Sequence, residues 1–116
     1  MAKQELTIQA ELTAFITYLH NGILSGSVSA SYEDGSDFVA GDVRVAIRVY
    51  ERYSMIGDNR VSLQVTAVEH QGSIRVTIIT SGGSQGMFMK FNTFGEESFL
   101  DKTMDLIRAY PQGRNA

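Results

Sequence analysis

A carboxylate set among aliphatic residues is the most chemically suggestive feature of this sequence. In VRVAIRVYERY, Val43, Val45, Ile47, Val49, Glu51 and Tyr53 fall on one side of an alternating pattern, and Arg44, Ala46, Arg48, Tyr50 and Arg52 on the other. The aliphatic side reads as the core side, which places the Glu51 carboxylate next to the core. An unpaired buried carboxylate is costly, so Glu51 must be paired, protonated or at a cavity mouth. Such an environment suits a general acid or base, or a group that orients a ligand beside Tyr53. The competing reading is that the strand end or a bulge turns Glu51 to solvent.

The opposite side carries Arg44, Arg48 and Arg52 with Tyr50 between them, and Arg75 two strands away. Guanidinium groups interleaved with an aromatic ring could hold an anion, a phosphate or a single nucleic-acid strand by charge and stacking. They could equally form a partner surface, including one that pairs with a copy of itself, or a solvated face laced by cross-strand ion pairs. A formal net charge of −3 argues against nucleic acid. The charge is uneven: five arginines face three acids between Val43 and Arg75, so this stretch is +2 and the remainder −5.

A third candidate is SGGSQG, where backbone amides around Gly82 and Gly83 could bind an anion. A phosphate loop needs a Lys-Ser/Thr pair and a following helix, whereas MFMKF alternates like a strand. The glycines then mark a bend or bulge. His20 and His70 are the only histidines, with no spacing that suggests a metal centre, and there is no cysteine and no G-x-S-x-G. His20 suits the negative end of a helix, and His70 a surface turn. No catalytic residue, metal site or cofactor is assigned. Met87, Phe88, Met89 and Phe91 form a soft apolar wall, of a core or of a pocket.

These residues must be positioned by a small number of elements. QELTIQA alternates as a short edge strand, and Phe15, Ile16, Leu19 and Ile23 repeat as a helix capped by Thr13 and ended by Asn21-Gly22. SVSASY is expected to be a strand ending at Tyr32. Asp34-Gly35-Ser36 is expected to turn the chain into a short strand over residues 37–40, ended by Gly41-Asp42. Three long antiparallel strands follow over residues 43–53, 60–70 and 73–81, the last two joined at Gln71-Gly72. Residues 87–91 read as a further strand. A final helix begins near Thr93 and Glu96, buries Phe99, Leu100, Thr103, Met104, Ile107 and Tyr110, and stops at Pro111. Residues 111–116 are expected to fray.

The expected fold is α+β: an antiparallel sheet of five to six strands with an N-terminal and a C-terminal helix on one face, in a single domain spanning 1–116. The order resembles a trimmed helix-grip fold. With 116 residues, 43% of them hydrophobic and 20% charged, the chain can bury a core without disulfides. No long apolar run or secretory leader is legible, which leads us to expect a soluble, cytoplasmic protein with no membrane partner.

RVYERYS, NRVSLQV, ITSGGSQ and NTFGEESFLDK together resemble a family of short, uncharacterised bacterial proteins, a domain of unknown function. The resemblance covers most of the chain from the first helix onward. It implies a bacterial cytoplasmic origin and lends no activity, cofactor or site residue. From the residues themselves, the leading expectation is a non-enzymatic domain binding a small, partly apolar ligand between sheet and C-terminal helix, with Tyr32, Glu51 and Tyr53 as polar contacts. The alternatives are a homodimer or interaction module using the Arg/Tyr face, and an enzyme with Glu51 as acid or base.

Overall fold

The computed structural model describes residues 2–26, 29–53, 60–82 and 89–112, with side chains of the C-terminal helix described from residue 98. The chain runs β1 (Ala2–Gln9), α1 (Leu12–Ser25), β2 (Ser31–Ala40), β3 (Val43–Tyr53), β4 (Arg60–His70), β5 (Ser73–Gly82) and α2 (Met89–Ala109). The five strands make one antiparallel sheet in the order β1-β5-β4-β3-β2, so the architecture is α+β. Two tight turns set the register. Gly41 (φ 64°) opens the β2–β3 turn, and Gln71 (φ 54°) with Gly72 (φ 80°) forms the β4–β5 turn. Positive φ at these positions matches the turn twist to that of the strands.

Three elements differ from the sequence expectation. Helix α1 is capped by Glu11 rather than Thr13: the Glu11 carboxylate accepts the N–H groups of Thr13 and Ala14, both at 2.9 Å. It also continues through Asn21-Gly22 to Ser25. Gly22 serves close approach instead of termination, since a Cβ there would lie 2.8 Å from Leu106 Cδ2.

Strand β2 is a single strand that includes Asp34-Gly35-Ser36, because a bulge between Tyr32 and Asp34 absorbs the irregularity. Gly35 is needed where a Cβ would meet the Tyr32 hydroxyl at 2.6 Å and the Ile47 carbonyl oxygen at 2.7 Å. The start of the expected strand, residues 27 and 28, lies outside the described residues, as do residues 83–88. Met89 and Phe91, expected in a strand, belong to α2, whose start precedes Thr93.

Both helices pack on the same face of the sheet. Leu12, Phe15, Ile16, Leu19 and Ile23 of α1 join Phe99, Leu100, Met104 and Ile107 of α2 over Val61, Leu63, Val65 and Ala67 of β4 and Ile74, Val76 and Ile78 of β5. Tyr18 fastens the helices together, donating its O–H to the Leu106 carbonyl at 2.6 Å. Helix α2 lies over β1, β5 and β4, whereas α1 reaches β3.

The register corrects which side of β3 faces the helices. Arg52, Tyr50, Arg48 and Ala46 stand opposite Val61, Leu63, Val65 and Ala67, the buried residues of β4. Cross-strand partners share a face, so the arginine side lies under and beside α1, and Val43, Val45, Ile47, Val49, Glu51 and Tyr53 line the open face. Ala46 and Tyr50 are buried at 2% and 1% exposure. The arginines are tolerated there because β3 runs at the rim of the helix layer, where aliphatic stems can pack while charged heads find partners.

Candidate functional site

The three arginines of β3 are four residues apart and share the helix-bearing face, yet their partners differ. Arg44 reaches the first turn of α1, where Nη1 donates to Glu11 Oε2 at 3.0 Å and Nη2 to Thr13 Oγ1 at 2.7 Å. Glu69 adds a longer ion pair at 3.8 Å. The two backbone N–H bonds, helped by Arg44, hold the Glu11 carboxyl down at about 2. Arg48 grips Asp37 with both terminal nitrogens, at 2.9 and 3.2 Å, and donates to the Ile47 carbonyl at 2.8 Å. Its hydrogen bond to Asp37 raises its pKa.

Arg52 has no carboxylate partner among the described residues. Its guanidinium carbon stands 4.6 Å from the centroid of Phe99, and burial lowers its pKa. It lines a cavity of about 320 Å³ between the C-terminal half of α1 and α2, together with Gly22, Ile23, Phe99, Lys102 and Leu106. Gly22 of α1 and its C-cap Gly26 border the cavity where α1 passes α2. The walls are mainly apolar, and Lys102 and Asp105 stand exposed at the mouth. The arrangement can accept an apolar body against Ile23, Phe99 and Leu106, and an anionic group on Arg52.

A family model matches residues 1–111, nearly the whole chain. The chain belongs to DUF6054, a family of unknown function. No curated protein matches this DUF6054 sequence. The site therefore rests on the geometry of its own residues.

That geometry divides the residues singled out in the sequence between two faces of the DUF6054 sheet. Tyr32 is on the helix-bearing side, 45% exposed, and its ring clusters with His20 at 5.1 Å and Tyr50 at 5.8 Å. Tyr50 shares a 2.8 Å hydrogen bond with His20 Nδ1, and burial pushes the phenol up to about 12. Glu51 and Tyr53 are on the other face. Glu51 pairs with Arg60 at 3.1 Å, and Tyr53 is 52% exposed with the Arg60 guanidinium 5.4 Å above its ring. They cannot act together with Tyr32 across the sheet.

Gly82 ends β5 at φ 116°, where a Cβ would meet the Arg60 carbonyl oxygen at 2.6 Å. Its role there is close backbone approach; Gly83 lies outside the described residues. Arg75 is on the open face, paired with Glu5 at 3.3 Å, and so is separated from Arg44, Arg48 and Arg52. His70 meets Asp42 at 3.0 Å. Among the described residues no group of three potential ligands could hold a metal ion. No helix is long and apolar enough to cross a membrane, again among the described residues.

Sequence reading missed Lys102 and Leu106 as site residues and put Arg52 on the side of β3 away from the core, as part of an anion-binding, partner-binding or solvated face. The signal was present as a second stripe on the last helix, Phe99, Lys102, Leu106 and Ala109, running beside the core stripe. Gly22 in the last turn of the first helix and Gly26 at its C-cap were its counterpart.

Proposed function

We propose that this chain is a non-enzymatic binding domain that holds a small ligand with an apolar body and an anionic end between α1 and α2. The observation that carries this reading is Arg52. It is half-buried, carries no carboxylate partner among the described residues and borders a mainly apolar cavity. Removing a cation from water without a counter-ion is unfavourable, and a ligand carboxylate would supply that counter-ion through two parallel N–H···O bonds. Arg44 and Arg48 already have carboxylate partners, which is why the reading centres on the third arginine of the row.

The test is calorimetric titration with octanoate and with 1-octanol, which share an apolar body and differ in charge. Charge-assisted hydrogen bonds contribute about 1.5–3 kcal/mol, so octanoate should bind at least about 10-fold more tightly. Arg52→Met should bring octanoate to the level of the alcohol. Equal binding of the two compounds to the unaltered protein, or octanoate affinity indifferent to Arg52→Met, would refute the proposal. Native mass spectrometry of protein purified from cells would then identify a resident ligand as a mass lost on unfolding.

A further inference from the structure

The two edges of the sheet are built differently. β1 exposes Lys3, Gln4, Glu5, Thr7 and Gln9, and its last residue, Gln9, donates its N–H to Gln112 Oε1 at 2.8 Å. β2, the other edge, carries three of the four large hydrophobic residues that stand exposed among the described residues: Tyr32, Phe38 and Val39, at 45, 50 and 66%. An open edge with apolar side chains beside it is a template for a further strand.

The register determines which backbone groups of β2 are left for one. Across the two-residue turn at Gly41-Asp42, Ala40 and Val43 form a hydrogen-bonded pair. Ala40, Phe38 and Ser36 therefore bond to β3, and Val39, Asp37 and Gly35 point their N–H and C=O groups outward. Gly35 agrees with this parity, because its N–H donates to Asp34 Oδ1 at 2.8 Å. Beyond Asp34 the bulge next to Tyr32 ends the straight edge. The open stretch thus offers the N–H groups of Asp37 and Val39 and the C=O groups of Gly35, Asp37 and Val39. Val39 also borders a hollow of about 310 Å³ shared with Leu12, Ile16 and Ala46, which leaves room for an apolar neighbour on that side.

Charge selects the occupant. Residues 4–43 hold six acids and no Lys or Arg. On β2 itself Arg48 holds Asp37, but Asp34 has no cationic partner among the described residues, and Glu33 shares Arg60, at 3.9 Å, with Glu51 at 3.1 Å. A second copy of β2 would bring the same acids and no base to this edge, and like charges on paired strands are destabilising. We propose that β2 is the docking edge for an extended basic segment of a partner protein, added as an antiparallel strand. The backbone of that segment pairs with Val39, Asp37 and Gly35. Its apolar residues stand opposite Val39 and Phe38, and its Lys or Arg residues opposite Asp34 and Glu33. The edge is separate from the cavity between the helices, so its fate is independent of the ligand proposal.

Fluorescence anisotropy with the labelled peptide Thr-Val-Val-Thr-Thr-Thr-Lys-Lys, blocked at its C-terminus, tests it. The peptide should bind at least about 5-fold more tightly than a version ending in Glu-Glu, and the preference should shrink as salt is raised. Val39→Pro removes an outward N–H without touching the ladder to β3 and should weaken binding at least about 5-fold. Val39→Thr keeps that N–H and should stay within about 3-fold of the unaltered protein. If Val39→Pro fails to fold by circular dichroism, Asp34→Lys takes its place and should reverse the preference between the two peptides. Absence of binding by the Lys-Lys peptide would overturn the proposal. So would equal binding of the two peptides, binding indifferent to the variant, or a protein that dimerises through β2 in place of taking the peptide.

Discussion

Replacing each β3 arginine by methionine in turn should separate structural guanidinium groups from one held for a ligand. Arg48 is the most enclosed of the two paired residues, with its side chain 18% exposed and bonded to both Asp37 oxygens and the Ile47 carbonyl. Arg48→Met removes charge-assisted bonds but leaves Asp37, 65% exposed, free to rehydrate. The cost should be about 1–2 kcal/mol. Arg44 is 41% exposed with a Glu11 partner at 57%, so solvent screening limits its loss to about 0.5–1 kcal/mol.

Arg52→Met gives up a cation–π contact of about 1 kcal/mol. It also removes the desolvation of an unpaired charge, which is of similar size and opposite sign, and the methionine thioether can pack on Phe99. The net change should fall within about 0.5 kcal/mol of zero, or be stabilising. Urea unfolding of protein refolded to free it of bound molecules measures all three, as shifts in midpoint at constant slope. The ordering Arg48 over Arg44 over Arg52 is the expected result. A loss at Arg52 as large as that at Arg48 would show that its guanidinium supports the fold, and would refute the argument from its missing partner.

Two further predictions concern the elements around the site. Glu11 has its pKa depressed to about 2 from an ordinary 4.5, so its stabilisation is fully present above pH 4.5 and is lost as pH falls toward 2. Because the side chain is 57% exposed, screening reduces the gain to about 1 kcal/mol; Glu11→Gln should destabilise by that amount at neutral pH, with the gap closing in acid. A gap that does not vary with pH in urea titrations would contradict this. Gly35→Ala would drive a methyl into the Ile47 carbonyl oxygen and the Tyr32 hydroxyl and should cost about 2 kcal/mol; an unchanged thermal midpoint would show that β2 is not so closely seated.

What the sequence made legible was local. Strand alternation in residues 43–53, 60–70 and 73–81 and the turns at Gly41-Asp42 and Gln71-Gly72 depend on neighbours a few positions away, and the structure has them. The sign of β3 was not local. VRVAIRVYERY alternates equally well in either sense, and the choice is made by Leu63 standing opposite Tyr50 and Ala67 opposite Ala46. Unlike β2 with β3 and β4 with β5, β3 and β4 are not adjoining across a two-residue turn that would let the sequence fix their register. The greater hydrophobicity of the valine side pointed the wrong way, because the stems of Arg44 and Arg48 can pack where acids wait for their heads and Arg52 lies against Phe99. Gly22 misled in a related manner: a glycine after asparagine suggests a helix end, but here the missing side chain makes room for Leu106.

Strand β1 closes the sheet against β5, so that Ala2 lies opposite Thr80 and Gln9 opposite Ser73. The other four strands pair with neighbours in sequence, as a meander that can zip from its tight turns. On a ribosome, β1 and α1 are therefore made well before the strand that β1 must join. Until Ser73–Gly82 has emerged, Leu6, Ile8 and the apolar stripe of α1 have no completed sheet to cover. The order of synthesis and the order of assembly run in opposite directions at this edge. Docking of the N-terminal strand and helix must therefore wait for β5, and that interval is one in which the chain needs protection from its neighbours.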